Sequence, residues 1–225
     1  QNMDAQLRGF VDRVDSWQCG EQKYFRVVDY KTGKKDFDYC DVFNGLGLQM
    51  LLYLFALEQE GGKLIGENRV PAGVQYFPAR VPLVGADGLL SDEEAASARE
   101  KVWKRKGLLL SEEMVLQAMQ MDESVNRMPY ARKKDGTING DLADVKQMSM
   151  LKEYVFALLG KMVDDIASGC IEPNPYTRGG SHNACTYCPY GAVCHAETVE
   201  GRRNYKAMTP QKFWEEIRKE VSGNG

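Results

Sequence analysis

VVDYKTGKK, residues 27–35, starts as a strand and ends in a glycine turn, and at the junction it sets an acid, an aromatic residue and a lysine in a row. Side chains alternate along a strand, so Asp29 and Lys31 share one face while Val28 and Tyr30 take the other. Taken alone, such a strand end reads as a solvated ion pair. Its neighbours in the sequence give it a second reading.

LRGFVDRVD (7–15) and KYFRVVDYK (23–31) both read as strands, joined by the polar stretch SWQCGEQ with Gly20 near its middle. A turn on Gly20-Glu21 puts glycine in the first central position that a type II′ turn prefers. In that register residues whose numbers sum to 41 face each other and Asp12 lies opposite Asp29, with Cβ atoms about 4.5–5.5 Å apart for directly opposed residues. Two carboxylates that close repel unless a proton or cation lies between them. Mg²⁺ takes oxygen ligands and needs one or two carboxylates beside its waters. Asp12 and Asp29 are therefore candidate metal ligands. Lys31, on the same face, is a candidate to orient an attacking water or to stabilise charge on a phosphate.

VFNGLGLQMLLYLFALEQ (42–59) is apolar at helical spacing and stops before Gly61-Gly62, which predicts one helix packed into the core. Gln49 and Tyr53, four apart, lie on one face of it. AGVQYFPARVPLV (72–84) reads as a strand at a sheet edge, because Pro78 and Pro82 interrupt it. Residues 86–147 are more charged, with helical patterns at 91–106 and 111–123 and the turn-like KKDGTINGD, and read as an insertion. An amphipathic helix is expected over 148–169. A last helix is expected over 209–221, with Thr209 as N-cap and Pro210 in the first helical position.

At 225 residues and 43% hydrophobic content the chain can bury one sizeable core without staples. No run approaches the roughly 18–20 apolar residues of a membrane span, and the start lacks the pattern of a secretory signal. The expected location is the cytoplasm, with no membrane partner. A start at Gln1, just ahead of a strand, reads as part of a longer chain. A net charge of −3 does not advertise a nucleic-acid binder. KVWKRK (101–106), ARKK (131–134) and GRRNYK (201–206) are nevertheless candidate phosphate contacts, against the plainer reading of solvated basic faces. With His182 and His195 as the two histidines, both beside cysteines, no Ser-His-Asp triad or HExxH site has support, and no Walker A pattern is present.

NACTYCPYGAVCHAE (183–197) holds a C-x2-C-x5-C pattern in Cys185, Cys188 and Cys194. Thiolates so spaced wrap one metal or cluster, for which four ligands are usual. Zinc completed by His182 or His195, an iron-sulfur cluster and a reduced, unliganded trio all stay open on local chemistry.

In combination, GFVD, a hairpin-length gap, VVDYK and then QMLLY (49–53) resemble the PD-(D/E)xK nuclease superfamily and, within it, the RecB-like nucleases. Those show a G-x-V/I-D strand, a D-Y-K strand and a Q-x-x-x-Y helix in this order. With the cysteine triplet behind that core, the chain resembles the AddB family, one of the two components of bacterial AddAB helicase-nucleases. The resemblance covers residues 7–55 and 148–197.

It implies a single α/β domain over 1–225 with a restriction-endonuclease-like core, a mixed central sheet flanked by helices. A helical insertion (86–147) and a cysteine-cluster segment (170–197) complete it. It further implies a DNA exonuclease dependent on Mg²⁺ (or Mn²⁺), acting at DNA ends in double-strand break repair beside an AddA-type subunit. Asp12, Asp29 and the backbone carbonyl of Tyr30 would hold the metal, Lys31 would position water, and Gln49 with Tyr53 would order the motif or touch the strand.

Cys185, Cys188 and Cys194 would bind a [4Fe-4S] cluster. The fourth cysteine of that family lies far upstream, and Cys19, Cys40 and Cys170 match it poorly, so the cluster is expected to be held weakly or not at all. A further acidic or histidine ligand on a helix before the first motif strand is expected to lie outside this sequence. Two other readings stand beside this one: the iron-sulfur nuclease of CRISPR spacer acquisition, and a DNA-binding module of the same fold without turnover.

Overall fold

Gly20 turns the chain where its sequence position suggests. The computed structural model, which describes residues 5–80, 88–120, 127–179, 183–194 and 203–223, pairs β1 (Arg13–Cys19) antiparallel with β2 (Gln22–Lys31). Cys19 faces Gln22 and Arg13 faces Val28. Gly20 has φ +59° while Glu21 stays on the negative side, the sign sequence of a type II′ turn. The expected strand over 7–15 is shorter than its apolar pattern suggested. Residues 5–11 run without sheet partners and reach β1 through Asp12.

After β2 come α1 (Tyr39–Phe43), α2 (Gln49–Glu60), α3 (Gly62–Ile65) and β3 (Arg69–Pro78). The single helix expected over 42–59 is broken in two. Gly45 (φ +79°) and Gly47 (φ +63°) adopt left-handed conformations that end α1 and re-aim the chain into α2. α2 then turns Met50, Leu51, Leu54 and Phe55 into the core.

β3 brings a second correction, since it lies mid-sheet and not at an edge. The sheet order is β1-β2-β3-β4-β7, with β4 (Lys106–Leu110) following α4 (Asp92–Val102), and β7 (Leu142–Ala143) following α5 (Glu113–Met119), β5 (Tyr130–Arg132) and β6 (Ile138–Gly140). β2 with β3 and β4 with β7 run parallel, while the other neighbours run antiparallel, so the sheet is mixed. Prolines are tolerated in β3 for a local reason. The register against β2 slips between Phe25 and Arg26, next to Pro71, and Pro78 is the last strand residue. Pro82 lies outside the described residues.

The stretch 86–147 thus contributes β4 and β7 to the central sheet. It also supplies Leu109, Leu110, Val115, Leu116 and Met119 to a second apolar cluster on one sheet face. α4 starts on a capping box, Ser91 with Glu94, and α6 (Val145–Ala167) on another, Asp144 with Gln147.

The larger cluster lies on the opposite face. There Phe25, Val27, Val74 and Leu108 of the sheet meet Leu54 and Phe55 of α2 and Leu151 of α6. β8 (Tyr176–Thr177), α7 (Gly191–Cys194), β9 (Arg203–Asn204) and α8 (Pro210–Gly223) complete the chain, and Phe213 and Ile217 of α8 enter the same cluster. The Thr209 hydroxyl accepts from the Lys212 amide at 3.3 Å, the N-cap expected of it.

Arg178 fastens the segment leading to the cysteines to the core. It donates to Asp38 (2.7 Å) and Asp41 (3.0 Å), and Asp38 also caps α1 by accepting from the Asp41 amide. Burial alone would raise the Asp38 carboxyl, but the Arg178 hydrogen bond and the amide hold it below the ordinary range. Among the described residues no helix is long and apolar enough to cross a membrane.

Candidate active site

The parallel pair β2·β3 ends with Asp29 beside Tyr76 and Lys31 beside Pro78. Ligands of α/β sheets gather outside the carboxyl ends of such strands, where side chains emerge from the sheet into loops. Phe25 and Val27 on the same face of β2 are fully buried, so the core seals the base of that face and leaves its end for Asp29 and Lys31.

Asp29 is held in an unusual state. Its Oδ2 is buried, and the Lys31 Nζ lies 2.5 Å away from it as a close ion pair. A buried carboxylate costs free energy, and a cation beside it offsets part of that cost. The charge is felt across the strands: burial first, and the Asp29 carboxylate second, push the Tyr76 phenol up to about 12.

Asp12 stands just before the β1–β2 ladder, at the place facing Asp29. Its Oδ2 accepts from the Tyr30 amide at 3.2 Å, so the end of GFVD is tied to the middle of DYK. Gln49 and Tyr53 meet each other, the amide Nε2 donating to the phenol oxygen at 3.0 Å. They border a cavity of about 710 Å³ with Leu7, Arg8, Gly9 and Phe10. Gly9 lies flat against the Tyr53 ring, and a Cβ there would come within 2.7 Å of the phenol oxygen. The structure thus makes two joined groups, Asp12–Tyr30 with Asp29–Lys31, and Gln49–Tyr53 with Gly9. Among the described residues no hydrogen bond runs from Gln49 or Tyr53 to Asp12, Asp29 or Lys31.

Sequence reasoning missed the polar network on the other face of β2. Arg26, buried, donates to Asp15 Oδ2 through Nε (3.0 Å) and Nη2 (2.8 Å) and to Gln75 Oε1 through Nη1 (2.6 Å). Arg13 grips the same Asp15 and sends Nη1 to the Tyr30 hydroxyl at 3.1 Å. Burial works to raise the Asp15 carboxyl, yet the hydrogen bonds from Arg13 and Arg26 hold it below its usual range. Tyr30 is consequently fixed at both ends, by Asp12 at its amide and by Arg13 at its phenol. The signal was present in the register, which sets Asp15 directly across from Arg26.

Asp29 and Asp12 bring carboxylate oxygens, the hard donors a divalent cation takes, to neighbouring places at the end of β2, Asp12 through its contact with the Tyr30 amide and Asp29 beside Lys31. The cysteine segment fits its implied group less well. Cys188 and Cys194 are exposed, and among the described residues no three His, Cys, Asp or Glu side chains converge on a common metal position. Cys40 is buried and gives its thiol to the Lys206 carbonyl at 3.0 Å, and Cys19 closes β1, so neither joins the trio. Three thiolates fall one short of an iron-sulfur cube. His182 and His195 lie outside the described residues.

The family model for the PD-(D/E)XK nuclease superfamily matches residues 2–195. The chain is 35% identical over 231 residues to the B component of the ATP-dependent helicase/deoxyribonuclease of Thermoanaerobacter sp. (strain X514), covering 99% of this chain and 20% of that protein. The protein of the same name from Acetivibrio thermocellus is 34% identical over 210 residues, covering 92% of this chain and 18% of its own length. The one from Clostridium acetobutylicum is 35% identical over 226 residues, covering 97% and 19%. The chain spans about a fifth of the length of these relatives.

Proposed function

The chain belongs to the PD-(D/E)XK nuclease superfamily, and from that premise we propose that it hydrolyses DNA phosphodiester bonds with a divalent metal. The observation that carries the reading is the end of β2, where a buried Asp29 oxygen lies against the Lys31 ammonium and Asp12 is tied to the intervening Tyr30 amide. Asp29, Asp12 and the Tyr30 carbonyl would hold Mg²⁺ or Mn²⁺. Such an ion, when bound, supplies Lewis acidity and a more acidic water.

The protein's own part is positional and electrostatic. Lys31 orients the attacking water and places a positive charge beside the phosphate as negative charge builds on its oxygens. Water oxygen bonds to phosphorus, the bond to one sugar oxygen breaks, and a proton passes to that oxygen, leaving a phosphate monoester and a hydroxyl. Asp12 and Arg13 keep Tyr30, and with it the backbone between Asp29 and Lys31, in register.

The relatives are named as components of an ATP-dependent helicase/deoxyribonuclease. We therefore place this chain's activity in a helicase-nuclease assembly processing DNA ends in double-strand break repair, with a helicase-nuclease partner protein. The three cysteines take no part in the hydrolysis derived from Asp29 and Lys31.

The direct test incubates the protein with end-labelled single-stranded and duplex DNA in Mg²⁺, in Mn²⁺ and in EDTA. Cleavage is expected with either metal and none in EDTA. DNA that is bound in EDTA and left intact in Mg²⁺ would instead establish a binding module.

Gly9 supplies a second expectation. Gly9→Ala pushes residues 7–12 off the Tyr53 ring and drags Asp12 from the Tyr30 amide. A displacement of that kind costs roughly 10²-fold in rate. The thermal midpoint should move little, because residues 5–11 make no sheet pairing. Steady-state cleavage beside a melting curve checks both, and a variant with wild-type rate would show that the Gly9–Tyr53 contact plays no part in placing Asp12.

A further inference from the structure

A second cavity opens from the end of β2, with neither Gln49 nor Tyr53 in its lining. It has a volume of about 840 Å³, and Lys31 forms part of its wall. Lys34 and Lys35 line it from the turn after β2, Arg80 from beyond β3, and Lys101, Lys104 and Lys106 from the end of α4 and the start of β4. Asp36 is its one carboxylate. It is taken up by Lys106 at 2.9 Å and Lys34 at 3.9 Å. Lys35, Arg80, Lys101 and Lys104 have no carboxylate partner among the described residues. A chain of net charge −3 has therefore collected an excess of cations in one groove.

Aromatic surface accompanies the charge. Tyr76 and Phe77 form part of the lining, with Lys35 Nζ 6.0 Å from the ring of the largely buried Tyr76. Cations that track a backbone beside aromatic faces are how proteins hold unpaired nucleic-acid strands. The size points the same way. The volume is within the roughly 300–1,000 Å³ of small-molecule sites, room for a few nucleotides of one strand.

We infer that this groove seats the phosphodiester backbone of the nucleotides flanking the scissile phosphate, as a single strand, with α4 and the start of β4 as its cationic wall. The inference rests on the nuclease reading for its direction, because Lys31 belongs both to the groove and to the Asp29 pair. It gives the stretch 86–147 a role in substrate handling that the motif residues do not describe.

Binding in EDTA tests the groove apart from catalysis. The fluorescence anisotropy of a labelled oligodeoxythymidine is followed against salt for the wild type, for the double variant Lys101→Ala/Lys104→Ala, and for Lys133→Ala/Lys134→Ala as a charge-matched control at the β5–β6 hairpin. Each phosphate contact contributes about 0.7 to the slope of log K against log salt for single strands, so the Lys101/Lys104 variant should lose roughly 1.4 from the slope. It should also bind about tenfold more weakly at low salt, with the control close to wild type.

Equal losses in both double variants would reduce the effect to overall charge and overturn the groove. Unchanged binding in the Lys101/Lys104 variant would overturn it too, as would a wild type that binds blunt duplex better than the single strand. A wild type that binds through Lys101 and Lys104 yet never cleaves in Mg²⁺ upholds the groove and sinks the nuclease reading alone.

Discussion

Asp29→Asn is expected to abolish cleavage, by at least about 10³-fold, while leaving DNA binding in EDTA within a few-fold of wild type. The substitution keeps the size and shape of the side chain and removes its charge. It therefore separates metal holding from packing at a half-buried position on the central strand. Lys31→Ala should fall by roughly 10²–10³-fold, the loss seen when one preorganised electrostatic group is removed from a site.

The two variants should differ in stability. Asn at position 29 still offers an oxygen to the Lys31 ammonium and no longer buries a charge, so the thermal midpoint should move little. Alanine at 31 strands the Asp29 carboxylate without its cation, so the midpoint falls and Mg²⁺ restores more of it than in the wild type. Because both residues act on one reacting centre, the double variant should lose little more activity than Asp29→Asn alone. An Asp29→Asn protein that cleaves at the wild-type rate, with no metal contaminant or wild-type carryover, would remove Asp29 from the chemistry.

These residues were legible because their spacing carries the geometry. A two-residue glycine turn fixes a hairpin register outright, so Asp12 and Asp29 could be aligned from the sequence, and a spacing of four puts Gln49 and Tyr53 on one helical face. What stayed hidden depended on partners distant in sequence. Gly45 and Gly47 looked like tolerable interruptions of an apolar run, and their left-handed backbone is what splits α1 from α2. Pro78 suggested an edge, but a proline at a strand end removes no needed ladder bond, so β3 sits mid-sheet. KGLLL at 106–110 is too short for its period to stand out from the charged stretch around it. It joins the sheet because β3 offers a partner. The groove was half visible: KVWKRK announced charge, while its place beside Lys31 is a product of the β3–β4 pairing.

That pairing rests on two glycines, and Gly107→Ala should be among the most damaging single changes in the chain. Gly107 faces Gln75, and Gly73 faces Leu109, where β3 and β4 run antiparallel. Both glycines have positive φ, +138° and +129°, which L side chains rarely adopt. A Cβ on Gly107 would collide with the Val74 carbonyl and stand 2.9 Å from the Gln75 Cα. One on Gly73 would collide with the Leu108 carbonyl and stand 2.8 Å from the Leu109 Cα. Backbone on both sides cannot step aside as a flexible side chain would, so strain and overpacking add.

The expected cost is more than about 3 kcal/mol, a large part of the roughly 5–15 kcal/mol that holds a domain folded. For a chain of this size that lowers the melting midpoint by roughly 6–12 °C. Gly136→Ala provides the comparison, since Gly136 has φ +84° with nothing near its missing Cβ, and should cost about 1–2 kcal/mol from backbone strain alone. Thermal melts of the two variants side by side decide the matter, and a Gly107→Ala protein no less stable than Gly136→Ala would mean that the strands separate easily. In that event Lys106 and Tyr76, which face each other across the same pair, would not be held rigidly enough to shape a groove beside Asp29.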